Sequence, residues 1–135
     1  MNSLRVALIQ VAYNPAPGAM AGKYQLLVAD AARKGAKIVV LPELSLSPYL
    51  GLKPRADWGT EEPLPESIPH GDSCRLLGEL AAHNKVYVLG SLYERGGLGF
   101  RKQKGARFNT AVLLDPEGNI WMSIVAVALN TPSFV

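Results

Sequence analysis

"KIVVLPELSLSPYLG", residues 37–51, sets a short apolar run against a carboxylate that arrives just as the run ends. Lys37 to Leu41 is rich in β-branched residues and has the composition of a buried strand, and the proline behind it stops the run. Upstream, "LRVALIQVAY" (4–13) is a run of the same kind, closed by the breakers of "NPAPG". Between the two, from about Ala19 to Lys34, the apolar residues Tyr24, Leu27, Val28, Ala31 and Ala32 recur at helical spacing, and Gly35 behind Arg33 and Lys34 is a stop signal. Two such strands joined by a helix make a βαβ unit, whose strands run parallel and whose crossover is almost always right-handed.

Downstream, "GDSCRLLGELAAHN" (71–84) repeats the helix grammar. Asp72 or Ser73 is the expected N-cap, Leu76, Leu77, Leu80 and Ala81 form the apolar face, and Asn84 is the stop. "KVYVLGSLYE" (85–94) reads as a third strand, and "FNTAVLLDPEGNIWMS" (108–123) as two antiparallel strands joined at the Pro/Gly turn "DPEG". The predicted order is β-α-β-α-β followed by a hairpin, in a single α/β domain. The three leading strands are apolar at successive positions, as expected of a sheet covered on both faces, whereas only one layer of helices is encoded. The proline-rich stretch from Ser45 to His70 is a long loop over the carboxyl ends of the strands, and loops of that length usually serve a function.

A chain of 135 residues with 48% hydrophobic and 19% charged residues has the balance of one globular domain. The net charge of +3 is too modest to point to a nucleic-acid partner, and part of the surplus sits in one segment, Arg101, Lys102, Lys104 and Arg107. That cluster reads as a solvated loop rather than an anion site. The single cysteine excludes an intramolecular disulfide, and the N-terminus lacks a positive region followed by a cleavable apolar core, so a cytoplasmic location is expected. "IWMSIVAVAL" (120–129) is about half of the ~20 residues a membrane-spanning helix needs, so no membrane partner is expected.

In open α/β sheets ligands bind beyond the carboxyl ends of parallel strands, and Glu43 leaves the second strand at that edge. Glu94 ends the third strand at the same edge. Two carboxylates facing one pocket would suit acid/base chemistry, since like charge and partial burial raise the pKa of one of them. Acidic residues also follow strands as plain solvated loop residues, and the spacing alone leaves both readings open. Cys74, in the first turn of a helix, is favourably placed for a thiolate by the helix dipole, yet it lies on the apolar stripe, where a small core-facing cysteine is the ordinary reading. His70 and His83 lack neighbours at ligand spacing, so no metal site is expected. The glycines of "GGLGF" (96–100) do not open a helix, so no dinucleotide or other cofactor is expected.

"RVALIQV", "VVLPELSLSPY", "VYVLGSLYERGG" and "FNTAVLLDPEGNI", in this order, resemble successive landmarks of the nitrilase superfamily of carbon-nitrogen hydrolases, over residues 4 to about 120. The resemblance implies an α-β-β-α sandwich, of which this chain encodes the N-terminal half, and a Glu-Lys-Cys triad. In that scheme a cysteine thiolate attacks an amide, carbamoyl or nitrile carbon, the glutamate moves protons, and the lysine stabilises the tetrahedral adduct. Glu43 occupies the position of the triad glutamate, and Glu94 matches an auxiliary glutamate beside it. The family pattern then breaks: no lysine follows Lys104, and no cysteine follows Cys74.

The resemblance therefore implies a partial hydrolase domain over 1–120 and a divergent tail over 121–135, with truncation, frameshift and splicing all able to produce it. The expected function is that of a truncated carbon-nitrogen hydrolase, by ancestry acting on a small-molecule amide or carbamoyl substrate and inactive as this chain. The alternative is a non-catalytic interaction protein that self-associates or pairs with a full-length homologue.

Overall fold

The computed structural model describes residues 3–49, 64–96 and 105–130, the last six of these by backbone only. The elements follow the order β1 (Val6–Leu8), α1 (Ala19–Arg33), β2 (Ile38–Val40), α2 (Asp72–Asn84), β3 (Tyr87–Arg95), β4 (Arg107–Leu114) and β5 (Ile120–Asn130). One five-stranded sheet carries them in the spatial order β1-β2-β3-β4-β5. The first three strands are parallel, and β4 and β5 continue the sheet antiparallel. The predicted βαβ units and hairpin are thus all present.

Both helices bury an apolar stripe on one face of the sheet, although Leu27, expected on the stripe of α1, lies at its exposed margin. Tyr24, Val28 and Ala31 from α1 and Leu77, Leu80 and Ala81 from α2 share one core with Val39, Val88, Val112 and Leu114 from the strands. Period-two alternation places those strand residues on the same face, because Val88 lies opposite Leu114 and the hydrogen-bonded pairing is continuous. The opposite face carries Val6 and Leu8, Ile38 and Val40, Tyr87 and Leu89, Leu113, and Met122, aligned across the sheet by register. No described element packs over it.

The expectation of a fully buried first strand is corrected by this asymmetry: Val6 is 46% and Leu8 79% exposed, and only Ala7 between them packs against the core. The β1 ladder is also short. Its run of apolar residues extends further than its pairing, which reaches only from the Lys37 N–H on Arg5 to the Ile9 N–H on Val40.

Helix α1 ends as its sequence predicts. Gly35 adopts φ +85°, its N–H reaches the carbonyl of Ala32, and the Ala36 N–H reaches that of Ala31, so two otherwise orphaned carbonyls are satisfied. Helix α2 differs at its start. Its N-cap is Gly71, not Asp72 or Ser73, and the capping group comes from outside the helix: the Glu66 carboxylate accepts the Ser73 N–H at 2.8 Å and the Ser73 hydroxyl at 2.6 Å. A carboxylate at a helix N-terminus is favoured by the dipole as well as by these bonds. At the other end the helix stops at Asn84, as predicted, and Lys85 behind it is the left-handed residue.

The predicted turn at "DPEG" closes the β4–β5 hairpin, where the Asp115 carboxylate accepts the N–H groups of Glu117 and Asn119 and Gly118 takes φ +88°. The residue at which the divergent tail was expected to begin, Trp121, is the second residue of β5. Arg107 begins β4, while Arg101, Lys102 and Lys104 lie outside the described residues.

Candidate functional site

The site is built on the edge of β3 that β2 leaves free when it ends. Alternate carbonyls of β3 are taken in turn: Leu89 by the N–H of Leu41, Ser91 by the N–H of Ser45, and Tyr93 by the N–H of Glu66. The chain therefore leaves β2 and makes a turn around Glu43 that is stitched back to β3 at Ser91, and the described segment before α2 docks beside Glu94 through a parallel bridge at Glu66, whereas the middle of the loop expected over 45–70 lies outside the described residues. Buried N–H and C=O groups must find partners, and these bonds fix where the turn can lie.

Glu43 is exposed at the tip of that turn. Leu44 behind it adopts φ +47°, a conformation that costs a non-glycine residue free energy and persists only where the surroundings enforce it. The enforcing contacts are visible. The Leu44 N–H donates to Ser91 Oγ at 3.0 Å, the Ser91 N–H donates to Ser45 Oγ at 3.1 Å, and Ser45 Oγ donates to the Pro42 carbonyl at 2.8 Å. From the helix layer, the Tyr24 hydroxyl donates to the Ser45 carbonyl at 2.6 Å, and burial pushes that phenol up to about 12. The side chain of Glu43 is held as well: Ser91 Oγ donates to Asn109 Oδ1, and Asn109 Nδ2 donates to Glu43 Oε1. Glu43 is one of the residues that line a cleft of about 290 Å³, together with Tyr13, Met20, Tyr24 and Tyr49.

Glu94, the penultimate residue of β3, does not share that cleft. It is 2% exposed and accepts the Thr110 hydroxyl at 2.5 Å. Asn109 and Thr110 are successive residues of β4, and successive strand side chains point to opposite faces. The carboxylate bonded to Asn109 and the one bonded to Thr110 therefore lie on opposite sides of the sheet, which corrects the expectation that Glu43 and Glu94 face one pocket. The reason is parity: Glu94 is three residues beyond Ser91, so it falls on the helix-covered face.

Cys74 sits in the core on that same helix side. Burial, with smaller contributions from the Glu66 and Glu94 carboxylates, pushes its thiol up to about 12. At neutral pH it is a protonated core residue, as its place on the apolar stripe predicts, and the helix dipole does not overcome desolvation. His70 and His83 are both exposed, on a turn and on the last turn of α2. Sequence reasoning missed Ser45, Ser91 and Asn109. The available signal was polarity inside apolar strands: Ser91 interrupts "VLGSL" and Asn109 interrupts "FNTAV", and a buried polar residue needs a partner.

Comparison with known proteins follows the same outline. A model of the carbon-nitrogen hydrolase family matches residues 5–128. The chain belongs to that family. It is 33% identical over 121 residues to an omega-amidase NIT2 of Danio rerio, a match that spans 89% of this chain and 38% of the relative. A hydrolase of Schizosaccharomyces pombe is 32% identical over 124 residues, 87% of this chain and 33% of the relative.

Among solved structures, a carbon-nitrogen hydrolase from Helicobacter pylori G27 superposes with a TM-score of 0.70 at 20% identity, over 90% of this chain and 39% of the other. A variant of the amidase from Nesterenkonia sp. AN1, with acrylamide added at its active-site cysteine, gives 0.69 at 23% identity, over 96% and 46%. This carbon-nitrogen hydrolase chain thus spans a third to just under half of the length of these relatives, and it corresponds to the N-terminal half of the nitrilase superfamily fold.

Proposed function

We propose that the chain carries the proton-transfer half of an amidase-type carbon-nitrogen hydrolase, with Glu43 as the general acid/base toward a small amide or carbamoyl substrate. The observation that carries this reading is the Glu43 turn itself: an exposed glutamate among the residues that line a cleft, beside a left-handed leucine, with one carboxylate oxygen held by a buried amide. The naming of one relative as an omega-amidase supports the substrate class. Glu94, buried on the helix-covered face and bonded to Thr110, takes no part in this reading. Cys74, protonated and in the core, is not the nucleophile. These 135 residues accordingly do not hydrolyse amides unaided, because an acyl intermediate needs a thiolate that they do not supply. The single unpaired cysteine supports a cytoplasmic setting.

The test joins residues 1–120 to the C-terminal part of a related omega-amidase. Amide hydrolysis by the joined enzyme, absent from the 135-residue chain and lost on Glu43→Gln, is the expected result. Turnover by the 135-residue chain that Cys74→Ala abolishes would refute the assignment. A second reading is favoured by the open sheet face, where Leu8, Trp121 and Ile124 are more than half exposed: a non-catalytic chain that pairs with a homologue through that face. Co-sedimentation with a full-length relative, without any effect of Glu43→Gln, would favour it.

A further inference from the structure

We propose that Asn109 is the positioning residue of the site, holding the Glu43 carboxylate in one orientation. The inference rests on the reading of Glu43 as the proton carrier and adds the means by which an exposed side chain keeps a fixed geometry. A solvent-facing glutamate ordinarily samples many rotamers, and fixing one costs entropy that a specific bond has to offset. Here that bond comes from a rigid source. Asn109 is 3% exposed, lies inside β4 between two paired strands, and is itself held through Oδ1 by the Ser91 hydroxyl.

Toward an accepting carboxylate at Glu43, the donor and acceptor order favours one arrangement. Ser91 Oγ accepts the Leu44 N–H, so its own hydrogen is available for Asn109 Oδ1. With its oxygen so engaged, the asparagine presents its NH₂ group to Glu43 Oε1. The chain of bonds closes on itself, since Leu44 is the residue next to Glu43. The left-handed turn and the carboxylate orientation are therefore set by the same two side chains, and β3 and β4 together hold a residue that leaves β2. Asn109 touches no reacting atom in this scheme. It acts by keeping one carboxylate oxygen occupied and the other directed outward, so that proton transfer begins from a defined geometry.

The experiment is nuclear magnetic resonance of the isotopically labelled 135-residue chain, in whatever state of association it adopts. The Asn109 side-chain amide is expected to show one downfield, slowly exchanging proton that Glu43→Gln displaces, and the Glu43 side-chain couplings are expected to report one rotamer. Asn109→Asp keeps the shape but loses the donor, and should average those couplings while the backbone signals of Leu44, Ser45 and Ser91 persist. Since Glu43→Gln alters only an exposed side chain, that arm does not depend on how well the Asn109 variant folds. Asn109 signals indifferent to Glu43→Gln, or Glu43 couplings unchanged in Asn109→Asp, overturn the proposal.

In the joined enzyme, Asn109→Ala is expected to lower kcat by between about ten- and a hundredfold with KM retained, as misplacement of a catalytic group does. A lowered affinity with normal kcat would overturn the positioning role. The two readings fail separately: full activity of Glu43→Gln removes the proton carrier whatever the couplings show, whereas unresponsive couplings remove Asn109 and leave Glu43 in place.

Discussion

Cys74 and Tyr24 make the residue-scale chemistry of this fold sensitive to alkali. Burial raises the thiol from 9.0 and the phenol from 10.0, each to about 12. Between those values the unfolded chain releases protons that the folded chain retains, so stability falls as pH rises from about 9 toward 12 and is unaffected by these groups below 9. Urea unfolding at pH 7 and at pH 10.5 should show a lower midpoint at the higher pH, and Cys74→Ala should flatten that dependence. An equal loss in the variant would show that the thiol does not contribute to it. Glu43 is a different kind of residue, exposed and held from one side. In the joined full-length enzyme Glu43→Gln keeps the shape and removes proton transfer, for an expected loss of ~10²-fold or more in rate. A near-normal rate would demote Glu43 to a loop residue. Glu43 was legible in the sequence because a motif marks it. Asn109 was not, because its partner lies 66 positions away and only the register of three strands brings them together.

Among the elements, α2 depends on a close approach that no local pattern announces. A Cβ at Gly78 would stand 2.7 Å from the carbonyl oxygen of Gly118, and one at Gly118 would stand 2.9 Å from that of Gly78. Two glycines thus let the helix rest on the turn of the β4–β5 hairpin. Alanine at 78 gains about 1 kcal/mol of helix propensity but forces backbone away from backbone, and overpacking of this kind costs about 1–3 kcal/mol. Gly78→Ala is therefore expected to lower the urea midpoint, and a raised midpoint would mean that helix and turn are not in contact. Helix α1 was readable nearly to the residue, because its apolar spacing and its glycine stop are local signals. The cap of α2 was not, since Glu66 supplies it from the preceding segment, and neither was the length of β1, whose apolar run promises more pairing than its single neighbouring strand provides.

At the scale of the whole molecule, the two faces of the sheet are unequal, and this governs how the chain behaves in solution. One face is closed by α1 and α2. The other presents Val6, Leu8, Met122 and Ile124 at 40–79% exposure, together with Trp121, whose ring meets Tyr87 edge to face at 6.4 Å. Strand register makes these one continuous surface rather than scattered residues. Isolated apolar residues on a surface are normal, but a contiguous patch beyond ~300–600 Å² exceeds what monomers usually expose and favours association. The 135-residue chain is therefore expected to self-associate and to bind a hydrophobic dye at micromolar concentration. Leu8→Lys combined with Ile124→Lys should reduce both effects, and because both side chains are exposed the core should be left intact. Sedimentation of the parent chain and the double variant, each with a dye titration, is the measurement. A parent chain that sediments as a cooperative, dye-silent monomer would mean that this face is closed from within, and the half-sandwich reading would fall with it.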